Sequence, residues 1–143
     1  MQISSRFTIA VHTLLCIEHF CKDYKVTSNF IASSVNVNPV IIRKILGKLK
    51  EAGIVNVEAG VGGAFLAKEP SEITLLDIFD AVECADENFF GFHQNPNPKC
   101  PVGANIHNVL DKELCEIQAV FEDRLRKTTL KNIIDDMENL ISN

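Results

Sequence analysis

No stretch of this chain approaches the ~18 consecutive apolar residues that cross a bilayer, so no membrane-spanning helix is expected. The amino-terminal segment MQISSRFTIAVHTLLCIEHF lacks a basic leader and a small-residue cleavage site, and it carries Arg6, His12, Glu18 and His19 at helical spacing. It does not read as a signal peptide, and a cytoplasmic location is the expectation. No C-x-x-C pair occurs. The five cysteines, Cys16, Cys21, Cys84, Cys100 and Cys115, are odd in number, which argues against a disulfide framework or a zinc finger. Reduced thiols are expected. The glycine stretch Gly60-Val61-Gly62-Gly63 is not followed by G-K-[ST] and leads into a strand-like segment, so it does not read as a nucleotide loop. Internal repeats are absent, and Asn95-Pro96-Asn97-Pro98 is the one compositionally biased stretch.

What is present begins with an uneven charge. The 143 residues, enough for one domain or one domain with an appendage, carry a net charge of −5. Residues 1–70 hold eight basic and five acidic side chains, residues 71–143 six basic and fourteen acidic, so the halves stand at +3 and −8. From Asn38 to Lys50 there are four cations, Arg43, Lys44, Lys48 and Lys50, and no acid. Such a run is often only a solvated helix face; its neighbours decide what it means here.

The periodicity predicts a mainly α chain with one small β-hairpin. A first helix spans roughly Ser4 to Phe20, with Phe7, Val11, Leu14, Leu15 and Ile17 inward. Thr27 or Ser28 caps a short second helix with Phe30, Ile31 and Val35 inward. After the turn Asn36-Val37-Asn38, Asn38 caps a third helix with Pro39 in its first position. Ile42, Ile45, Leu46 and Leu49 form its buried stripe, and Gly53 ends it. The strand Ile54–Val57, the glycine tip and a return strand at Ala64–Ala67 follow. Helix, turn, cationic helix and hairpin form the layout of a winged helix-turn-helix, whose partner is double-stranded DNA. The residues expected at that surface are Ser28, Asn38, Pro39, Val40, Arg43, Lys44, Gly47, Lys48, Lys50, Gly60, Gly62 and Gly63, with Ser4, Ser5 and Arg6 as a phosphate seat at the start of helix one. Asn38 serves as cap or base reader.

Thr74 with Asp77 announces a capped fourth helix. A loop follows, aromatic at Phe89, Phe90 and Phe92 and then rich in Pro and Asn. From about Val102 a long helix carries Ile106, Leu110, Leu114, Ile117, Phe121 and Leu125 along one seam, and after Thr128-Thr129 comes a last short helix. The organisation is read as 1–83, winged helix-turn-helix; 84–101, a sensor-type loop; and 102–143, dimerisation helices. Leu110, Leu114, Ile117, Phe121 and Leu125 are expected at a homodimer interface reading a palindromic operator. The alternative is that the seam packs back on helix one.

Cys100 is the candidate sensor, with His93 in the same loop. A helix start and the Lys99 ammonium would both favour its thiolate, whereas an inert packed cysteine is the bland alternative. Cys84 and Cys115 read as seam residues that could each pair with Cys100 on oxidation; Cys16 and Cys21 read as helix-one packing, and His107 as interfacial. A Cys100–His93 thiol hydrolase finds no orienting acid or amide and no oxyanion loop, so no enzyme is expected. A winged helix that binds protein in place of DNA is a further alternative, disfavoured by the cationic run.

Taken together, "SSRFTIAVH", "NPVIIRKILGKLKEAGIV", "AGVGGAFLAKEPSEITLLDIFDAVE" and "NPNPKCPVG" resemble the Rrf-two (Rrf2) family of bacterial winged-helix regulators over nearly the whole chain, closest to a Gram-positive subgroup with NPNP-x-CP-x-G after the fourth helix. The resemblance implies a dimer, a third helix in the major groove, a wing on the flanking minor groove or backbone, a long helix crossing to the partner, and a transcriptional regulator, a repressor in several members. It also raises an iron–sulfur or metal-responsive regulator as an alternative. Cluster-binding members carry three closely spaced cysteines and a histidine, whereas this loop offers Cys100 alone, so no cofactor or metal is expected. Ile41-Ile42-Arg43 stands where the family commonly has an aromatic, a Leu and an acid, which implies a different operator, with Arg43 favouring guanine O6/N7 or a phosphate. The signal, a small molecule or a redox change, is unknown from the sequence.

Overall fold

The computed structural model describes residues 4–58, 62–83 and 90–143. The expectations placed on Gly60, Cys84 and Phe89 fall outside these residues. Among the described residues the elements run α1 (Arg6–Phe20), α2 (Ser28–Val35), α3 (Pro39–Glu51), β1 (Val55–Val57), β2 (Ala64–Leu66), α4 (Leu75–Val82), α5 (Pro101–Arg126) and α6 (Leu130–Ser142), with a 3-10 turn at Pro70–Glu72.

Local chemistry sets the boundaries of the helix-turn-helix. Thr27 caps α2 by accepting from the Phe30 amide, and α2 stops at Asn36, in the left-handed region at φ 66°. Asparagine tolerates that conformation better than most side chains. Asn38 then caps α3 by accepting from Val40 N, with Pro39 in the first turn. Gly53, at φ 77°, turns the chain out of α3. Ile42, Ile45, Leu46 and Leu49 are all buried, as their spacing predicts.

The wing is an antiparallel pair in which Val55, Asn56 and Val57 face Leu66, Phe65 and Ala64. So short a hairpin is marginal alone. The Ala67 amide extends its ladder by donating to Ile54 O at 2.8 Å, and the Ala64 amide ties it to the body by donating to the Val26 carbonyl just before α2, at 2.9 Å.

One core serves the chain. Leu14, Ile17, Ile31, Ile42, Ile45, Leu49, Ile54, Ile73, Ile78 and Leu130 are fully buried together. In α1 the buried residues are Ala10, Thr13, Leu14, Cys16 and Ile17; Phe7, Val11 and Leu15, expected inward, are half-buried. The helix is apolar on both flanks, so periodicity alone does not choose the inner one. The phenyl rings of Phe7, Phe79 and Phe121 stack edge to face from α1 through α4 to α5, at centroid distances of 5.6 and 5.5 Å.

The C-terminal helices part company. Thr74 and Thr129 each build a capping box, and the two caps face each other. Leu75 N donates to Thr128 O and Leu130 N to Ile73 O, at 2.9 and 2.7 Å. With Leu130 and Ile134 buried in the common core, α6 packs as part of the winged-helix body, whereas the sequence reading grouped it with α5 as dimerisation helices. The 26-residue α5, by contrast, has no buried residue. Phe121 rests on α4 of its own chain, while Leu110 and Ile117 stand exposed and Leu114 and Leu125 half-buried. The alternative in which the seam folds back on helix one is not the packing observed; α5 leans on α4. Between α1 and α6 an open apolar groove of about 570 Å³ is lined by Phe7, Val11, Leu15, Leu75, Ile133 and Met137.

Candidate nucleic-acid interface

Burying one stripe of α3 turns the opposite face outward. Val40, Arg43, Lys44, Gly47 and Lys50 are exposed and Lys48 half-buried. Among the described residues, none of the four cations is drawn into an ion pair. An unpaired cationic face retains its charge for a polyanion.

Arg43, Gly47 and Lys50 form one wall of a cleft of about 390 Å³; Thr27 and Ser28 at the start of α2 and Gly62 and Gly63 in the wing form the rest, with Glu58 as the acid in the lining. Three elements thus converge on a concave, largely cationic site with a helix start and a glycine backbone in its walls. Gly62 and Gly63 have φ of 69° and 123°, which side chains rarely adopt. Gly60, the third glycine expected there, lies outside the described residues.

Gly47 has a different status. It sits mid-helix with no need for a positive φ, and a Cβ built on it meets nothing within 4 Å. Glycine inside a helix costs roughly 0.5–1 kcal/mol relative to alanine. Among the described residues nothing in the packing around Gly47 requires a glycine there.

The remaining candidates divide. Asn38 is a cap, its Oδ1 accepting from Val40 N at 2.9 Å, and Pro39 follows half-buried. The expected phosphate seat at the start of α1 is engaged within the chain. Ser4 Oγ donates to Glu83 Oε1 at 2.8 Å and the Arg6 guanidinium to Glu83 Oε2 at 3.0 Å. The helix start does draw an anion, as its dipole favours, but that anion is the carboxylate ending α4. Ser5 precedes the helix and makes no side-chain capping bond. The spacing of 79 residues between Ser4 and Glu83 hides this latch from any local reading.

Short-range backbone bonds shape the segment that leads into α5. Asn97 Oδ1 accepts from Lys99 N at 3.0 Å and its carbonyl accepts from Cys100 N. A Cβ on Gly103 would collide with the Asn97 carbonyl oxygen, so the NPNP-x-CP-x-G spacing folds the loop onto the first turn of α5. Cys100 is exposed at the N-cap position. Its sulfur makes no well-formed capping bond, yet the open backbone N–H groups of Gly103 and then Val102 hold the thiol below its ordinary range. Lys99 is not among the causes. His93 packs its ring on His107 at 5.1 Å, and His107 Nδ1 lies 3.0 Å from Asp111 Oδ1, so the histidine of the loop is engaged with α5.

Cys115 is exposed on α5, not core. Fifteen residues of helix separate it from Cys100, about 22 Å, which no disulfide within one chain spans. Cys16 is buried, and burial pushes its thiol up against a lowering hydrogen bond from Ser34; Cys21 is half-buried, and both lie on helix one as read. Among the described residues no three Cys, His, Asp or Glu side chains gather into a metal-binding group. No helix there is long and apolar enough to cross a membrane.

Comparison with known proteins agrees with this geometry. A family model described as Rrf2, iron-dependent transcriptional regulator, matches residues 3–136. A candidate HTH-type transcriptional regulator of Bacillus subtilis (strain 168), YwnA, is 42% identical over 135 residues, covering 94% of this chain and 98% of its own. A crystal structure of a candidate DNA-binding protein superposes with a TM-score of 0.74 at 39% identity, covering 91% of this chain and 99% of that one. CymR, the global cysteine regulator of B. subtilis, has a TM-score of 0.68 at 20% identity, covering 94% and 97%, a likeness of fold alone.

Proposed function

The chain belongs to the Rrf2 family of transcriptional regulators, and on that premise we propose that it is a homodimeric repressor that reads a palindromic operator and is released by modification of Cys100. The DNA-binding half of this reading rests on the α3 face, and above all on Gly47. A helix carrying four unpaired cations around an interior glycine that its own fold does not use is built for close approach to a groove. Arg43 faces base edges or a phosphate, Lys44 lies one position further toward the groove, and Lys48 and Lys50 meet the backbone.

The dimer accounts for two unsatisfied apolar surfaces at once. The middle of α5 exposes Val109, Leu110, Ile117 and Val120, and the α1–α6 groove is open. A two-fold axis lets the α5 of one copy cover the apolar surface of the other. The Cys100 thiolate supplies the input. An electrophile that alkylates it leaves a neutral thioether and withdraws negative charge from the start of α5, the helix that sets the spacing of the two α3 helices. This reading includes no cluster, since Cys16 lies in the core and Cys100 and Cys115 are two turns or more from any common centre; a colourless protein purified without oxygen agrees with it, and a brown one holding iron and sulfide overturns it.

The test is a binding titration of the purified dimer on DNA upstream of its own gene, set against random DNA over a range of salt. With about eight phosphates neutralised by the two subunits, log K falls against log salt with a slope near −7. Equal affinity for both DNAs at every salt concentration removes the operator reading.

A further inference from the structure

The first turn of α3 presents two apolar side chains to solvent. Val40 is 47% and Ile41 40% exposed, in a helix whose other outward positions are Arg43, Lys44, Gly47, Lys50 and Glu51. The turn that carries them is rigid. Pro39 opens it, Asn38 Oδ1 holds the Val40 amide, and the Asn38 carbonyl holds the Ile41 amide at 3.0 Å. Both side chains are β-branched and so stiff at χ1. At 3.6 residues per turn, Val40, Lys44 and Gly47 lie along the line furthest from the buried stripe, with Ile41 beside it on the flank away from the cleft that Arg43 and Lys50 line.

Resting on the DNA reading above, the geometry points to Val40 and Ile41 as readers of thymine C5-methyl groups in the operator. The amino-terminal residues of a recognition helix meet base edges. In the major groove the one apolar group among the four bases is the thymine methyl; the other edges are hydrogen-bond donors and acceptors that an aliphatic side chain leaves unpaired. Val40 and Ile41 therefore gain by facing thymine and lose by facing the other bases. The surrounding cations, with no acid between Asn38 and Lys50, match the polyanion that frames those methyls and not an apolar protein surface. Arg43, one turn on, pairs with guanine O6/N7 in the same half-site. This assigns a role to Ile41, which the charge pattern passed over.

The operator is first taken from genomic fragments selected by the full-length protein. Synthetic duplexes then replace each thymine in turn with deoxyuridine, which removes the methyl and nothing else. At one or two positions in each half-site, affinity falls roughly three- to fivefold, the worth of one buried methyl. That loss disappears in Val40→Ala or Ile41→Ala, each position coupling to one residue in a double-mutant cycle. Uridine that is neutral at every thymine, or a loss that persists unchanged in both variants, overturns the methyl readout while leaving the DNA reading intact. Failure to select any fragment over random DNA at matched salt overturns both.

Discussion

Helices α3 and α5 are both amphipathic, and they use their apolar stripes in opposite ways. The stripe of α3 is wholly buried in its own chain. Its outer face is therefore free of folding duties, and what it carries, four cations, two aliphatic side chains and a bare glycine, is chosen for a partner. The α5 helix buries nothing completely although it is twice as long. Its apolar stripe is left largely exposed by its own chain, and in the proposed dimer that stripe meets the partner copy. Burial within the chain thus marks which face of a helix holds the fold and which meets something else.

Four changes break or sharpen this contrast. The largest effect is expected from placing acids on the α5 seam. Leu110→Asp with Ile117→Asp converts the dimer to monomer in sedimentation and lowers operator affinity at least ~100-fold, because a single half-site contact remains. The unfolding transition of the winged-helix body persists, since neither residue is in the core; a dimer that survives the double change refutes the assignment. Next comes the other helix. Arg43→Ala costs about 1–3 kcal/mol of binding, tenfold or more, and relaxes preference at one base pair, with dimerisation untouched. A uniform loss across all sequences would make Arg43 a phosphate contact instead.

Gly47→Ala separates folding from function most directly. The variant is more stable in urea by roughly 0.5–1 kcal/mol, yet binds the operator more weakly, because the added methyl stands where the groove closes in. A variant both more stable and equally tight would show that Gly47 has no part in approach. The smallest effect concerns the cap of α5. The folded state lowers the Cys100 thiol through the N–H groups of Gly103 and Val102, so near pH 7 native Cys100 holds more thiolate than an unfolded cysteine. Its alkylation by iodoacetamide slows when the chain is unfolded in urea, and slows also as pH falls through the folded value. Cys16, buried and shifted the other way, reacts faster on unfolding. Equal rates for Cys100 in both states remove the thiolate argument.

Much of this was legible in the residues. Thr27, Asn38, Gly53, Thr74 and Asp77 mark helix ends by short-range chemistry, and each stands where that chemistry requires. The buried stripe of α3 was equally plain, because polar residues bound it on both sides. The inner face of α1 was not: apolar residues surround it, and only the elements packed against it, α2, α3, α4 and the wing among them, decide that Ala10 and Thr13 go in while Phe7 and Val11 line a groove. The partner of the α1 start was hidden for a related reason. Ser4, Ser5 and Arg6 do form a place for an anion, but the sequence could not show that Glu83 arrives to fill it. The Cys100 thiol follows its local helix start, while the separation of Cys100 from Cys115 and the engagement of His93 with His107 depend on how the loop lies against α5.

By itself the sequence determined the order of helices and hairpin, the cationic face of α3 and the family, since all of these depend on spacing within a few turns or on motif identity. Only the tertiary structure decided that α6 joins the body while α5 stays open, that Arg6 is taken by Glu83 while Arg43 and Lys50 line the cleft, and that Val40 and Ile41 remain in solvent. Each of those outcomes rests on which distant surfaces compete for the same apolar stripe or charge, and that competition is settled by three-dimensional proximity, not by position along the chain.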